Sequence, residues 1–502
     1  MLIIEILYAF SAILLGLYGL NNLILTWSYL RHRKDPVPEP ADLAEWPPVT
    51  VQLPIYNEVH TIERLLAKVA KLDYPIDRLE IQVLDDSSDE TRQLAASLVH
   101  QLQADGFDIS HVTRPDRSGF KAGALAFGME SAKGELIAIF DADFLPPTDF
   151  LQKVVPHFGD PAVGCVQARW GHVNRDYSIF TRTQALGVDG HFVVQQAARS
   201  QSGLFLNFNG TAGMWRQTCI ADAGGWQSDT LTEDLDLSFR AQLRGWRITY
   251  LPELVVPAEL PAQISAFKRQ QARWAQGSME TALKLIRPLL RSGQPWQVKL
   301  EGVIHLTGYL VHPLMLAIIL LSFPMSFSRN WMVLGIPWLM VTAAGPPFMY
   351  AVAQRAGDED WRRRLRYLPL LVMLGMGLSL NNSGAVMRAI FGVKREFQRT
   401  PKFDLQKSVD SWVGSHYAPK GDWLIWGELG LALLVFVLFA IPGVRWTFVP
   451  WLLLYAAGFS YVAVVNLHQT WLRRRWLARQ PIPASDRAGR IPPVERYRTR
   501  AG

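Results

Sequence analysis

Paired carboxylates stand at three places in this chain, twice directly after an apolar run. Asp141 and Asp143, in Phe140-Asp141-Ala142-Asp143, are one residue apart and close the apolar run 136–140. Two carboxylates so spaced at a strand end can approach one divalent cation, and a departing diphosphate needs such a cation. Without one the like charges repel each other, which argues against a purely structural role. Asp85 and Asp86 open the turn Asp85-Asp86-Ser87-Ser88. A carboxylate there can accept hydrogen bonds from a nucleobase imide and a ribose, although such a turn also caps the helix that follows it. Glu233 and Asp234 come after Thr232. An acid near a sheet edge can act as general base toward an acceptor hydroxyl. The alternative is a pair of first-turn acids on a helix over 235–243.

Three further groupings add binding chemistry. In Gln270-Gln271-Ala272-Arg273-Trp274 the guanidinium suits a diphosphate and the indole face suits the apolar face of a sugar ring. The same two residue types also anchor helices at the lipid headgroup level. The stretch Phe397-Gln398-Arg399-Thr400-Pro401-Lys402 offers hydroxyl and cationic groups to a diphosphate, or is an ordinary charged loop. Glu301, His305, Tyr309 and His312 recur at helical spacing within an apolar segment. Polar groups at membrane depth turn toward a bundle interior or a cavity, where they line a path or bond neighbouring helices.

Positioning these residues requires two kinds of architecture. Between residues 49 and 260 short apolar runs (49–53, 81–84, 136–140) alternate with polar turns and helix-like segments. That alternation predicts an α/β domain with a mostly parallel sheet and helices on both faces. Ligands of such sheets bind at the carboxyl ends of the strands, where the acids fall. A proline-containing linker, 31–48, separates this domain from an apolar stretch at 1–30, which is long enough to span a bilayer and too long for a signal-peptide core. Residues 261–292 have the spacing of an amphipathic helix at the membrane interface, or of a helix packed on the domain. Two spanning helices are expected within 299–353 and two within 423–471. The segment 367–392 holds Asn381, Asn382 and Arg388 and has basic residues on both sides, so it is expected to lie in the interface. This gives five spans, a loop at 393–422 and a basic tail at 476–502.

Composition agrees with a chain divided between water and lipid: 49% hydrophobic, 19% charged and 18 Trp. The net charge of +7 is carried largely by clusters at 31–34, 362–364 and 473–475, beside apolar segments. That is the positive-inside pattern and not a nucleic-acid stripe, and it places the 49–260 domain in the cytoplasm. Cys165 and Cys219 are too few for a disulfide framework.

Taken in order, the phrases IQVLDDSS (81–88), GFKAGAL (119–125), AIFDADF (138–144), VQARW (166–170), FNGTAG (208–213), TEDLDL (232–237) and QQARWAQG (270–277) resemble the processive family 2 glycosyltransferases. That group includes the cellulose, hyaluronan and chitin synthases, and the likeness is greatest to the plant cellulose-synthase-like A and C proteins. The resemblance covers about residues 48–402. It implies a GT-A domain inserted in a helical membrane domain of the plasma (inner) membrane. It also implies Mg2+ or Mn2+, inversion at the anomeric carbon, and a growing β-linked glucan or mannan threaded through the membrane helices. The donor is UDP-glucose, slightly favoured, or GDP-mannose. By motif match Asp85 and Asp86 hold base and ribose, and Lys121 approaches the diphosphate. Asp141 and Asp143 serve metal and phosphates, and Asp234, with Glu233 beside it, is the base. Gln270, Arg273 and Trp274 shape the acceptor end. Phe397, Thr400 and Lys402 are similar to a gating loop that closes over the nucleotide, with Arg399 where cellulose synthases carry Val. The rival expectation is transfer of one sugar to a lipid acceptor.

Overall fold

A computed structural model describes residues 1–35, 40, 43, 45–325, 336–357, 360–395, 399–405, 410–415, 417, 422–440 and 449–479. The apolar runs form a seven-stranded mixed sheet. Its strands are β1 (Val49–Ile55), β2 (Leu79–Asp85), β3 (Asp108–Thr113), β4 (Leu136–Ile139), β5 (Val163–His172), β6 (Gly213–Arg216) and β7 (Arg247–Ala258). Their order across the sheet is β3-β2-β1-β4-β6-β5-β7. Only β6 runs against its neighbours, pairing antiparallel with β4 and β5, while the β1–β2, β1–β4, β2–β3 and β5–β7 pairs are parallel.

Alternation along β4 shows how the core is shared. Leu136 and Ala138 enter one apolar cluster, with Val49, Val51, Leu53 and Phe150. Ile137 and Ile139 enter a second on the other face. A strand buried on both faces reads as a continuous apolar run, so the run itself was the signal. The second cluster extends beyond the domain to Leu25 and Tyr29 of the first helix and to Met349 and Ala353 of a later one. Sheet and apolar helices therefore share one core.

Among the described residues three helices are long and apolar enough to cross a membrane: Leu2–His32, Gly308–Met325 and Val449–Leu477. The segment expected in the interface forms two helices, Trp361–Gly377 and Ser379–Ile390, bent by 42°, which would make a fourth span if counted as one. Ile336–Gly357 runs 22 residues, carries Pro346 and Pro347, and packs on the first helix. Gly345 allows that contact, since a Cβ there would lie 2.4 Å from the Gly19 carbonyl oxygen. Leu424–Ala440 is 17 residues long. Residues 326–335, 441–448 and the tail from 480 lie outside the described residues.

The apolar segment that begins near residue 300 is not one continuous helix. Trp296–Leu306 ends at Thr307, a 3-10 turn occupies Gly308–Leu310, and a new helix runs over Val311–Met325. The amphipathic segment is one helix of 28 residues, Ile264–Arg291. It lies between the domain and the apolar helices, and packs on Ser379–Ile390 and Trp296–Leu306.

Candidate functional site

Because β1, β2, β4, β5 and β7 point the same way, their carboxyl ends share one edge. The start of the reversed β6 falls there too, with Gly213 opposite both Ile139 and Gln167. A cavity of about 190 Å³ opens at this edge. Asp86, Lys121, Asp141, Asp143, Glu233, Asp234, Gln270, Arg273, Trp274, Thr400 and Lys402 all line it. Residues far apart in sequence are thus brought together. Phe397 lies outside the described residues.

Asp85 does not line the cavity. Its buried carboxylate accepts from His111 Nε2 at 2.8 Å and from the Ser87 amide at 2.8 Å, so it braces the turn instead. These bonds and His111 hold it below the usual carboxylate range despite burial. Asp86, one residue on, is gripped by Arg114 through two bonds of 2.9 and 2.5 Å.

The metal-type acids are each met by a lysine. Lys121 Nζ donates to Asp141 Oδ1 at 2.6 Å and to the Gly210 carbonyl at 2.9 Å. Lys402 Nζ donates to Asp143 Oδ2 at 2.7 Å and to the Glu259 carbonyl at 2.6 Å. Burial works against both ammonium groups. Asp141, Glu233 and Asp234 around Lys121, and Asp143 and Glu259 around Lys402, outweigh it and keep both charged. The loop carrying Lys402 is held at three more points: Arg399 on Glu58 at 2.5 Å, the Phe403 amide on Glu259 Oε1 at 3.0 Å, and Asp404 on Arg64. Burial pushes the Glu58 and Glu259 carboxyls up to about 7 against these cations.

The donor set decides what cation fits. Among the described residues no group of three or more His, Cys, Asp or Glu side chains forms a cage. Asp141 and Asp143 offer oxygen only, and Glu259, whose amide donates to Asp143, has its Oε2 buried without a hydrogen-bond partner. Two carboxylates completed by substrate phosphates and water suit a hard divalent cation of the Mg2+ type. The residues fit a metal that arrives with a diphosphate.

Asp234 sits where the helix Glu233–Leu243 begins, with Thr232 at its N-cap. Its Oδ1 accepts from the Leu235 amide at 2.8 Å. Burial first, and then Glu233, raise this carboxyl well above the usual range, with Lys121 opposing. Gly210, at φ +82°, closes the other side, and a Cβ there would lie 2.9 Å from Asp234 Oδ2. Among the described residues the non-glycine positions with positive φ are Asn57, Phe120, Ala212 and Asp404. Each lies within two residues of a residue that lines the cavity, and strain of this kind gathers at functional sites.

A second cavity, of about 990 Å³, runs between the apolar helices and meets the first. Thr232, Asp234, Gln271, Trp274, Trp170 and Asn209 line both. His305, Tyr309 and His312 face the larger one, as their spacing suggested. Glu301 instead pairs with Arg199 at 2.7 Å, both buried. A chain of hydrogen bonds lines this cavity from Asn209 to His191 (3.0 Å), Gln195 (3.2 Å) and Asn22 of the first helix (3.0 Å). His191 and Gln195 belong to a π-helix, Gly190–Gln196, a form that favours functional sites.

Sequence reasoning missed Glu58, Arg117, His172, Gly210 and Glu259, all at the smaller cavity. Two of them carried a signal. Glu58 is an acid in the turn three residues past the end of β1, and Gly210 interrupts the phrase FNGTAG. His172, bonded to Asp189 at 2.8 Å, carried none.

Residues 47–277 match a family model described as Glycosyltransferase like family 2. A probable glucomannan 4-beta-mannosyltransferase 7 of Oryza sativa subsp. japonica is 44% identical over 251 residues, 49% of this chain and 43% of the relative. Glucomannan 4-beta-mannosyltransferase 2 of Arabidopsis thaliana is 40% identical over 269 residues, 52% of this chain and 50% of the relative. The chain spans about half the length of the curated relatives it matches. Among solved structures, the mannosyltransferase PcManGT from Pyrobaculum calidifontis in complex with GDP-Man and Mn2+ aligns with a TM-score of 0.54 at 23% identity. That alignment covers 77% of this chain and 100% of the other, and it speaks to the fold. With acids and lysines gathered at the carboxyl edge of a mixed seven-stranded sheet, the chain carries a GT-A fold whose residues 47–277 match the family 2 glycosyltransferases.

Proposed function

We propose that this chain is an inverting hexosyltransferase that builds a β-1,4-linked mannan or glucan backbone from a sugar nucleotide, one hexose at a time.

 The observation that carries this reading is the meeting of the two cavities at Asp234 and Trp274. The smaller one gathers the cations and acids that a sugar nucleotide needs. The larger one, at the upper end of the roughly 300–1,000 Å³ range of ligand pockets, offers an acceptor more room than a single sugar fills.

In this mechanism an acceptor hydroxyl enters from the larger cavity with its ring on the face of Trp274. Asp234 takes the hydroxyl proton on a carboxylate oxygen as the oxygen attacks the anomeric carbon. Attack opposite the leaving diphosphate inverts that centre. Lys121, Arg273, Thr400 and Lys402 supply hydrogen-bond donors to the diphosphate, and Thr400 Oγ1 is buried without a partner in the structure. Mg2+ or Mn2+, held with the phosphates by Asp141 and Asp143, would neutralise the charge that builds on the leaving group.

The names of the plant relatives favour GDP-mannose over the UDP-glucose that the sequence slightly favoured. The basic cluster after the first helix supports a cytoplasmic domain on a plasma (inner) membrane, with the larger cavity as the path of the growing chain. One observation supports a second reading. Much of that cavity is apolar, with Leu15, Met315, Ile318, Leu371 and Trp451 in its wall, which also suits a lipid-linked acceptor.

The test is incorporation of labelled sugar by the detergent-solubilised chain with Mn2+ or Mg2+, offering GDP-mannose and UDP-glucose in parallel. A high-molecular-weight product from GDP-mannose, absent with Asp234→Asn, is expected. A single hexose on an organic-soluble product would move the assignment to the lipid acceptor, and unchanged activity of Asp234→Asn would remove the base.

A further inference from the structure

The long helix Ile264–Arg291 does more than present Gln270, Arg273 and Trp274. Two turns further on, its side chains grip the segment that leads into Asp234. Glu280 Oε2 accepts from the Leu231 amide at 2.8 Å. The Thr281 hydroxyl meets the Thr232 hydroxyl at 3.2 Å. Gly277 permits this closeness, since a Cβ there would lie 2.6 Å from Thr232 Cγ2 and 2.8 Å from the Thr232 nitrogen. Lys284 then ties Asp236 at 2.9 Å and Asp229 at 2.8 Å to the same helix.

Glu280 also faces the other way. Its Oε1 accepts from Gln276 Nε2 at 2.9 Å, and that amide also donates to the Val393 carbonyl at 3.1 Å. Arg388 Nε donates to Gln276 Oε1 at 3.3 Å. Val393 lies just before the stretch that brings Thr400 and Lys402 to the smaller cavity. One carboxylate therefore joins the backbone ahead of the base to the root of the loop on the diphosphate side.

We infer that Glu280 is a positioning residue for glycosyl transfer: it fixes the Leu231 amide, and with it the placing of Asp234, in register with the loop rooted at Val393. The inference rests on the reading of Asp234 as base. Glu280 touches neither cavity. Its action is geometric, and displacement of a reacting group by about 1 Å can cost on the order of 100-fold in rate.

The experiment compares Glu280→Ala, Glu280→Gln and Glu280→Asp in the full-length chain in detergent, with Asp234→Asn as control. The readouts are kcat, donor KM and the thermal midpoint. Glutamine keeps an oxygen for the Leu231 amide, the contact that sets Asp234, and gives up only the bond from Gln276, whereas aspartate keeps the charge but is one methylene too short to reach the amide. Glu280→Ala and Glu280→Asp are expected to lower kcat about tenfold or more with donor KM within about threefold, and Glu280→Gln to recover kcat to within about threefold of the parent. If the alanine variant does not fold, the Gln and Asp pair carries the test alone. Parental kcat in Glu280→Asp, or equal losses in the Gln and Asp variants, would overturn the inference. If Asp234→Asn stayed active, the reading of the base would fail instead, and the two failures are separable.

Discussion

Asp234 has to be ionised to take a proton, yet burial and Glu233 raise its carboxyl above the usual range. The sign follows directly. A raised carboxyl is protonated over a wider acidic range, so activity is present above its shifted pKa and lost as pH falls through it. The acid limb of kcat/KM is expected above the ordinary aspartate value of about 4, with unit slope. A limb at or below that value would mean that the group is not perturbed as placed. Gly210 offers a second check. With φ at +82° and a Cβ position 2.9 Å from Asp234 Oδ2, Gly210→Ala meets both backbone strain and a displaced carboxylate. A loss of about 100-fold in kcat is expected with the fold retained, as judged by the thermal midpoint and by nucleotide binding.

At the scale of elements, sequence and structure agree where the signal is local. Acids closing apolar runs stood at strand ends because parallel strands buried on both faces leave their polar residues at the turns. The long helix was legible from its periodicity. Partners far apart in sequence were not. Lys402 reaches Asp143 across 259 residues, and nothing in either neighbourhood specifies that meeting. Asp85 and Asp86 look equivalent in sequence, but His111 takes one and Arg114 the other. The break at Thr307–Leu310 was hidden because the segment stays apolar through it.

One buried charge belongs to this scale. Lys268 of the long helix, 2% exposed, pairs with Glu428 of Leu424–Ala440 at 2.5 Å and with Asp422. Lys268→Met leaves Glu428 buried without its counter-charge, and a loss of about 3–5 kcal/mol is expected. Adding Glu428→Gln should recover much of it, as read from unfolding midpoints in detergent. An unaltered midpoint in the single variant would show that the pair contributes nothing.

Across the whole molecule, the apolar cluster on one face of the sheet takes in Leu25, Tyr29, Met349 and Ala353, so the catalytic domain and the apolar helices have no separate cores. The Asn209–His191–Gln195–Asn22 chain crosses the same boundary. The two parts are therefore expected to unfold together, in one transition rather than two. Calorimetry in detergent checks this, and two well-separated endotherms would count against a shared core.

The grip of the long helix on Thr232 bears on where this chain can be cut. The match to the family model ends at residue 277, a natural place to stop a soluble fragment for expression. Yet Glu280, Thr281 and Lys284 lie beyond that point, and Gly277 would become the last residue of an unravelled end. A fragment 47–277 would keep every acid and lysine of its own sheet edge while losing the splint that sets the base. Such a fragment is expected to bind nucleotide weakly and to transfer nothing.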